Sequence, residues 1–196
     1  LPKSTNAAKF ETANPVVQRL IARFFATLSE LVGPMRPAET LDAGCGEGET
    51  IARLGSLLGP RIEAVDIEQG CVDTVAARLP GVEVRRADLA DLPFGSGAFD
   101  LVLCLEVLEH IGEPSRAVRE LARVGRRDVV VSVPYEPWFR LGSLLRGKYV
   151  RTLGNHPEHV NHFRRRSLRD LLEPELEVAD IRVAFPWLIA AARVPG

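Results

Sequence analysis

The segment Leu41-Asp42-Ala43-Gly44-Cys45-Gly46-Glu47-Gly48 decides the fold of this chain. A short β-rich run leads into three alternate glycines, and a helical pattern begins at Glu49. Glycine suits positions where the backbone turns tightly and approaches a ligand with no side chain in between. Amide groups at the start of the next helix favour a polar or anionic ligand group. The segment therefore predicts a ligand-binding strand–loop–helix unit, an arrangement that several nucleotide-binding folds share.

Strand and helix patterns alternate on both sides of this segment. Asn14 and Pro15 predict the cap and first turn of an amphipathic helix that ends near Gly33. The β-rich runs are 40–42, 62–66, 82–85, 99–104 and 129–133, and helical patterns occupy 49–58, 71–79 and 114–124. Two further runs, 177–183 and 187–192, are close enough to form an antiparallel hairpin. The order predicts the α/β class: a Rossmann-like seven-stranded sheet, mostly parallel with an antiparallel C-terminal hairpin, and helices on both faces.

Length and cysteine content limit the organisation of the chain. With 196 residues, 46% of them hydrophobic, residues 1–196 are expected to form a single domain. The three cysteines are an odd number without the spacing of a disulfide framework or zinc site, which favours a reducing, cytoplasmic setting. No run approaches the roughly 20 apolar residues that a membrane-spanning helix needs.

Residues 134–166 form one long irregular stretch, which we interpret as a substrate-side insertion or lid. Residues 135–166 contain seven Lys or Arg and two acids, although the whole chain has a net charge of −1. Cations mixed with aromatic residues suit a small-molecule or lipid-like acceptor, including an anionic one, and are compatible with peripheral membrane contact. Nucleic acid is a less favoured partner, and a solvated loop would explain the charges equally well.

Two more acids follow later strands. Asp66 ends the second predicted strand, 22 residues after Gly44, where a carboxylate accepts hydrogen bonds from both hydroxyls of a ribose. Asp88 follows the third strand and could accept a hydrogen bond from an adenine amino group. An NAD-dependent oxidoreductase would share the glycine loop and the distal acid. The acid at Asp42 and the terminal hairpin argue against an oxidoreductase.

These segments resemble the class I S-adenosylmethionine-dependent methyltransferases in order and spacing over about residues 40–133. The matching pieces are 41–48, 64–67, 88–94 and 99–104. The resemblance implies a seven-stranded sheet whose last pair is reversed, and S-adenosylmethionine as the cofactor. It also implies a set of cofactor-binding residues: Asp42, Gly44, Cys45, Gly46 and Gly48 in the loop, Asp66 for the ribose, Ile67, Asp88 and Leu89 around the adenine, and Cys104 and Leu105 near the sulfonium.

Candidate acceptor-side residues follow the fourth strand. Methyl transfer is an in-line displacement, so the enzyme must align the nucleophile and, where needed, remove its proton. Glu106 and His110 lie where open α/β sheets bind ligands, and histidine titrates near neutral pH, which suits a general base. The other three histidines, His156, His159 and His162, lie within 154–163, and we include His159 among the catalytic candidates.

A divalent metal is a second hypothesis for the same region. If 154–163 folds over the fourth strand end, the donor set would be Glu106, Glu109, His110 and His162. Glu-x-x-Glu-His with a later histidine resembles metal-dependent small-RNA 2′-O-methyltransferases. Residues 157–163 and 167–172 instead resemble small-molecule methyltransferases, including ubiquinone and menaquinone biosynthesis enzymes, some of which share the pattern. We therefore predict O-methylation of a small or lipid-linked acceptor, with a metal-dependent RNA ribose methyltransferase and a non-catalytic cofactor-binding protein as alternatives.

Overall fold

In the computed structural model, which describes residues 13–136 and 160–196, seven strands form one sheet in the order β3-β2-β1-β4-β5-β7-β6. The strands are β1 (Glu39–Ala43), β2 (Arg61–Asp66), β3 (Glu83–Arg86), β4 (Phe99–Leu105), β5 (Gly125–Pro134), β6 (Glu177–Ala184) and β7 (Trp187–Arg193). Strands β1 to β5 pair in parallel, and β7 pairs antiparallel with both β5 and β6. The predicted α/β class and reversed final pair are confirmed.

Helices cover both faces of the sheet. They are α1 (Pro15–Val32), α2 (Glu49–Leu54), α3 (Gln69–Arg78), α4 (Pro114–Val124) and α5 (Arg165–Leu172). The predicted start of α1 is confirmed, because the Asn14 side chain accepts hydrogen bonds from the backbone N–H groups of Val16 and Val17. Within the described part of the chain, no helix is long and apolar enough to cross a membrane.

Two apolar cores hold these layers together. Leu101 and Leu103 of β4 pack with α1, α2 and α3, whereas Val102 and Cys104 pack with α4 and α5 on the opposite face. Successive side chains of a strand point to opposite faces, so a strand buried on both faces is apolar throughout. This double burial is why the strands were readable as apolar runs, and it gives the site a rigid base.

The largest differences from the prediction concern α2, β5 and α5, while other element ends differ by one or two residues. Helix α2 ends at Leu54 and continues only as a 3₁₀ turn, Gly55–Leu57. Strand β5 begins at Gly125 rather than at 129, through polar residues whose side chains find partners, such as Arg126 with Asp100 (3.1 Å). Helix α5 was not predicted. Its start is fixed by Ser167, whose hydroxyl accepts a hydrogen bond from the Arg164 backbone N–H (2.9 Å).

The strand order reverses between β1 and β4. From β1 the chain builds outward through β2 and β3, then returns to place β4 on the other side of β1. Open α/β sheets bind ligands in the crevice at the carboxyl ends of strands at such a reversal. The loop at 44–48 and the turn after β4 both lie at this edge.

Candidate functional site

The glycine loop adopts a backbone that favours glycine at each alternate position. Gly44, Gly46 and Gly48 have φ values of +84°, +53° and +78°. A Cβ at Gly44 would lie 2.5 Å from Cγ2 of Val107, and one at Gly48 would lie 2.8 Å from Cδ1 of Leu79. A Cβ at Gly46 would meet nothing within 4 Å. Gly44 and Gly48 therefore allow close packing beneath the loop, while Gly46 borders open space.

Strand β2 fixes the shape of this loop. The backbone N–H groups of Gly44 and Cys45 donate to the Val65 carbonyl oxygen at 2.8 and 3.0 Å. Gly46 N–H donates to Oδ2 of Asp66 at 2.8 Å, and Glu68 N–H donates to Oδ1 at 2.9 Å. The predicted ribose-binding carboxylate thus also supports the loop. Each carboxylate oxygen has a second lone pair with which to accept a further hydrogen bond.

Asp42 is the most perturbed acid at this edge. Its side chain is 1% exposed at the end of β1, and Oδ2 has no hydrogen-bond partner within 13–136 and 160–196. Burial, and secondarily the charge of Asp66, raise the pKa of Asp42 to about 7. A buried carboxylate with an unsatisfied oxygen fits a cationic ligand group, such as the ammonium of an amino acid.

The remaining predicted cofactor residues divide by exposure. Ile67 is 53% exposed, and Asp88 is also exposed, with its Oδ1 accepting a hydrogen bond from the Ala90 N–H (2.9 Å). Leu105 is half-buried at the end of β4. Three side chains pack instead into the cores: Cys45, Leu89 and Cys104. Burial raises the pKa of both thiols far above the usual range, so neither is a nucleophile at neutral pH.

The turn after β4, residues 106–110, is called the rim turn. Its first residue, Glu106, has a φ of +60°, which is uncommon for a residue with a side chain. The Ser132 hydroxyl donates to Oε1 of Glu106 at 3.1 Å, and the Trp187 indole N–H donates to Oε2. Sequence reasoning missed both partners. The one available signal was Ser132, a polar residue within the apolar run 129–133.

Two histidines lie beside buried carboxylates at this edge. His110 Nε2 is 3.9 Å from Oε1 of Glu109, whose side chain is 2% exposed, whereas the His110 side chain is 38% exposed. His162 Nδ1 lies at the same distance from Oε1 of Glu136, another buried acid. His110 therefore reaches solvent at the edge while Glu109 stays behind it. His156 and His159 lie outside the described residues.

Residues 160–163 pack directly on the rim turn. The N–H groups of Val160 and Asn161 donate to the Glu109 carbonyl oxygen at 2.8 and 3.1 Å. The Asn161 amide donates to the carbonyl oxygens of Leu108 (3.1 Å) and Ile111 (2.6 Å). Asn161 is a third residue of this region that sequence reasoning missed. The four hydrogen bonds from Val160 and Asn161 join the end of the predicted insertion to the rim turn.

The packing of residues 160–163 on the rim turn does not create a metal site among the residues that the structure describes. No group of three or more His, Cys, Asp or Glu side chains there could hold a metal ion. Of the proposed donors Glu106, Glu109, His110 and His162, the first accepts hydrogen bonds from Ser132 and Trp187. The histidines pair with different acids, Glu109 and Glu136. The metal hypothesis is therefore unsupported.

Comparison with known proteins finds methyltransferases that are similar in sequence to this chain. Residues 41–133 match the model of a methyltransferase domain. A probable S-adenosylmethionine-dependent methyltransferase of Mycobacterium tuberculosis (strain H37Rv) is 40% identical over 106 residues, which are 53% of this chain and 38% of the relative. The ubiquinone biosynthesis O-methyltransferase of Xanthomonas oryzae is 37% identical over 97 residues, or 44% of this chain and 38% of that protein. This chain thus spans about two fifths of either relative.

A solved structure extends the likeness of fold to nearly the whole chain. Magnesium protoporphyrin IX methyltransferase from Synechocystis, solved with S-adenosylhomocysteine bound, superimposes with a TM-score of 0.71. The match covers 98% of this chain and 95% of the other at 20% sequence identity. At that identity the superposition supports the shared architecture, and the sequence matches over 41–133 support the family.

Proposed function

We propose that this chain, as a class I S-adenosylmethionine-dependent methyltransferase, methylates an oxygen atom of a small or lipid-linked acceptor. The observation that carries the proposal is the glycine loop that follows buried Asp42 at the reversal of strand order. When bound, S-adenosylmethionine supplies an electrophilic methyl group on a sulfonium. Residues 1–196 are proposed to form one domain, with 134–166 as an insertion on the acceptor side.

The loop residues provide the proposed cofactor-binding groups. Asp42 would receive the ammonium of the methionine part, because that cation would satisfy its buried Oδ2. Asp66 would accept the ribose hydroxyls while keeping its bonds to Gly46 and Glu68. Ile67 follows β2 and Asp88 follows β3. Both residues are exposed there, where they would contact the adenine.

His110 is the proposed general base. An imidazole accepts a proton near neutral pH, which suits removal of a hydroxyl proton as the oxygen attacks the methyl group. His110 Nε2 lies 3.9 Å from Oε1 of Glu109, so the imidazole stands beside a buried carboxyl group. The hydrogen bonds from Val160 and Asn161 hold the Glu109 backbone in place.

An oxygen acceptor is supported by the similarity to the Xanthomonas O-methyltransferase. An anionic group on the acceptor is supported by Arg164, Arg165 and Arg166, which are exposed beside residues 160–163. Of these, Arg166 is 4.0 Å from Asp170, with a side chain that is 93% exposed. His159 stays a catalytic candidate from the sequence alone, since it lies outside the described residues.

Calorimetry with S-adenosylhomocysteine and with NAD tests the cofactor assignment. We expect S-adenosylhomocysteine to bind and NAD not to bind, and Asp66→Ala to weaken binding at least tenfold, as loss of charged hydrogen bonds would. The reverse preference would overturn the proposal. Transfer of a labelled methyl group to a panel of phenols, quinols and RNA then tests the acceptor. His110→Gln should abolish that transfer and leave S-adenosylhomocysteine affinity unchanged, whereas full turnover would remove His110 as the base.

A further inference from the structure

Glu106 is held in an unusual conformation by groups from two other strands. A non-glycine residue at a φ of +60° persists when its surroundings stabilise it. Its backbone N–H donates to the carbonyl oxygen of Ser132 at 3.0 Å, and its carboxylate accepts from the Ser132 hydroxyl and the Trp187 indole. Ser132 lies on β5 and Trp187 on β7, so one side chain joins the end of β4 to both strands.

The next residue carries this constraint to the glycine loop. Val107 lies so close to Gly44 that an added Cβ there would meet its Cγ2 at 2.5 Å and its Cγ1 at 3.2 Å. The loop is also held by β2, because Gly44 N–H donates to the Val65 carbonyl oxygen at 2.8 Å. The loop backbone is thus fixed both by packing of Val107 and by a hydrogen bond to β2. The backbone angles of Glu106 set where Val107 lies.

Trp187 is itself fixed on its other side. The residue is 6% exposed, and its ring packs edge-on against Phe24 of α1, with centroids 5.2 Å apart and planes at 61°. The indole can therefore turn little, and its N–H stays directed at Glu106. A contact path runs from α1 through Trp187, Glu106 and Val107 to Gly44.

We propose that Glu106 is a positioning residue whose carboxylate, bound by Ser132 and Trp187, holds Val107 against the glycine loop and so maintains affinity for S-adenosylmethionine. The inference rests on the proposed function in that the loop is taken to bind this cofactor. This positioning role differs from a general-base role. It requires that the side chain of residue 106 form hydrogen bonds with Ser132 and Trp187, and it does not require that the side chain be charged.

The conservative variant Glu106→Gln separates these roles. A glutamine oxygen accepts from the Trp187 N–H, and its NH₂ group donates to the Ser132 hydroxyl, which then acts as acceptor. We expect Glu106→Gln to bind S-adenosylhomocysteine within about threefold of wild type, whereas Glu106→Ala binds roughly tenfold more weakly, the usual scale for a lost hydrogen bond to a charged group. Equal loss of affinity in both variants would overturn the proposal.

Partner variants test the same hydrogen bonds from the other side. Trp187→Phe keeps an aromatic ring against Phe24 but removes the donor, and Ser132→Ala removes a single buried hydroxyl. Each should weaken S-adenosylhomocysteine binding several-fold in calorimetry, at a temperature where circular dichroism shows the variant folded. Val124→Ala is the matched control. It truncates a fully buried side chain beside the start of β5, far along the strand from Ser132, so it should lower Tm and leave affinity unchanged.

The outcomes distinguish this inference from the proposed function. Failure of the wild-type protein to bind S-adenosylhomocysteine would overturn both. Wild-type binding combined with unchanged affinity in folded Ser132→Ala and Trp187→Phe would overturn the positioning role alone. Should Trp187→Phe not fold, Ser132→Ala still decides, because deletion of one hydroxyl leaves the packing of α1 intact.

Discussion

Replacement of Asp42 by asparagine is expected to stabilise the protein without ligand and to weaken its binding of S-adenosylhomocysteine. Burial raises the pKa of Asp42 from 3.8 to about 7, so the folded protein holds this proton more tightly than the unfolded chain does. Protonation of Asp42 therefore favours folding. The benefit is complete below the unfolded pKa and is lost as the pH rises through about 7. Asparagine removes the ionisation and keeps the shape.

The size of the effect follows from the difference between the two pKa values. That difference is about 3 units, and one unit corresponds to ~1.36 kcal/mol, so the ionised carboxylate costs at most about 4 kcal/mol above pH 7. The asparagine NH₂ group also needs partners in a buried site, which reduces the gain. We expect the free energy of unfolding of Asp42→Asn to exceed that of wild type by about 1–2 kcal/mol at pH 8.5.

Urea unfolding at pH 5.5, 7 and 8.5 measures this difference. It should increase with pH, and calorimetry should show S-adenosylhomocysteine binding at least tenfold weaker in the variant, because the proposed ammonium partner has lost its charge. Asp88→Asn is the control: Asp88 is exposed, so the same replacement should change the free energy of unfolding little. A variant less stable than wild type at pH 8.5, or a difference independent of pH, would refute the reasoning.

Three more predictions concern the loop and the rim turn. Wild-type protein should bind S-adenosylhomocysteine about tenfold more weakly at pH 6 than at pH 8, since a carboxyl with a pKa of about 7 is mostly protonated at the lower pH; calorimetry showing constant affinity would contradict this. Gly48→Ala should lower the free energy of unfolding in a urea titration by about 2–4 kcal/mol, because φ is +78° and the new methyl would lie 2.8 Å from Leu79. Gly70→Ala is the control, because a Cβ at Gly70 would lie in open space and should leave the free energy of unfolding unchanged. Asn161→Ala should speed amide hydrogen exchange in residues 160–163, since it removes two hydrogen bonds to the rim turn, and unchanged exchange would show that backbone bonds alone hold this junction.

The fold was predictable because its strongest signals are local. Strand β4 is apolar throughout since both faces are buried, and the loop glycines mark positions that other residues occupy poorly. Helix α5 was not predicted because its apolar pattern is short. Only Leu168 and Leu172 are fully buried, and several of the other residues are arginines. Its start depends on Ser167, which sequence reasoning used only as part of a family resemblance.

The positions of the acids at the strand ends were predictable from the sequence, whereas the contacts of the rim turn were much less so. Acids at successive strand ends follow from the order of parallel strands, so Asp42, Asp66 and Asp88 could be placed along one edge. The partners of Glu106 could not be found, because Ser132 is 26 residues away and Trp187 is 81. Such contacts depend on strand order and side-chain direction. The metal hypothesis failed to find support in a similar way. The spacing of the carboxylates along the chain does not determine the directions in which their side chains point.

The junction between residues 136 and 163 bears on how proteins with this sheet could acquire new acceptors. Glu136 N–H donates to the Phe163 carbonyl oxygen at 2.9 Å, and Tyr135 forms a parallel bridge with Phe163, so the chain leaves the sheet and returns to it at adjacent points. The entropy of closing a loop grows only slowly with its length. Segments of different length and composition could therefore be exchanged between these two points during evolution, or in a designed chimera, while the glycine loop and its acids stay the same.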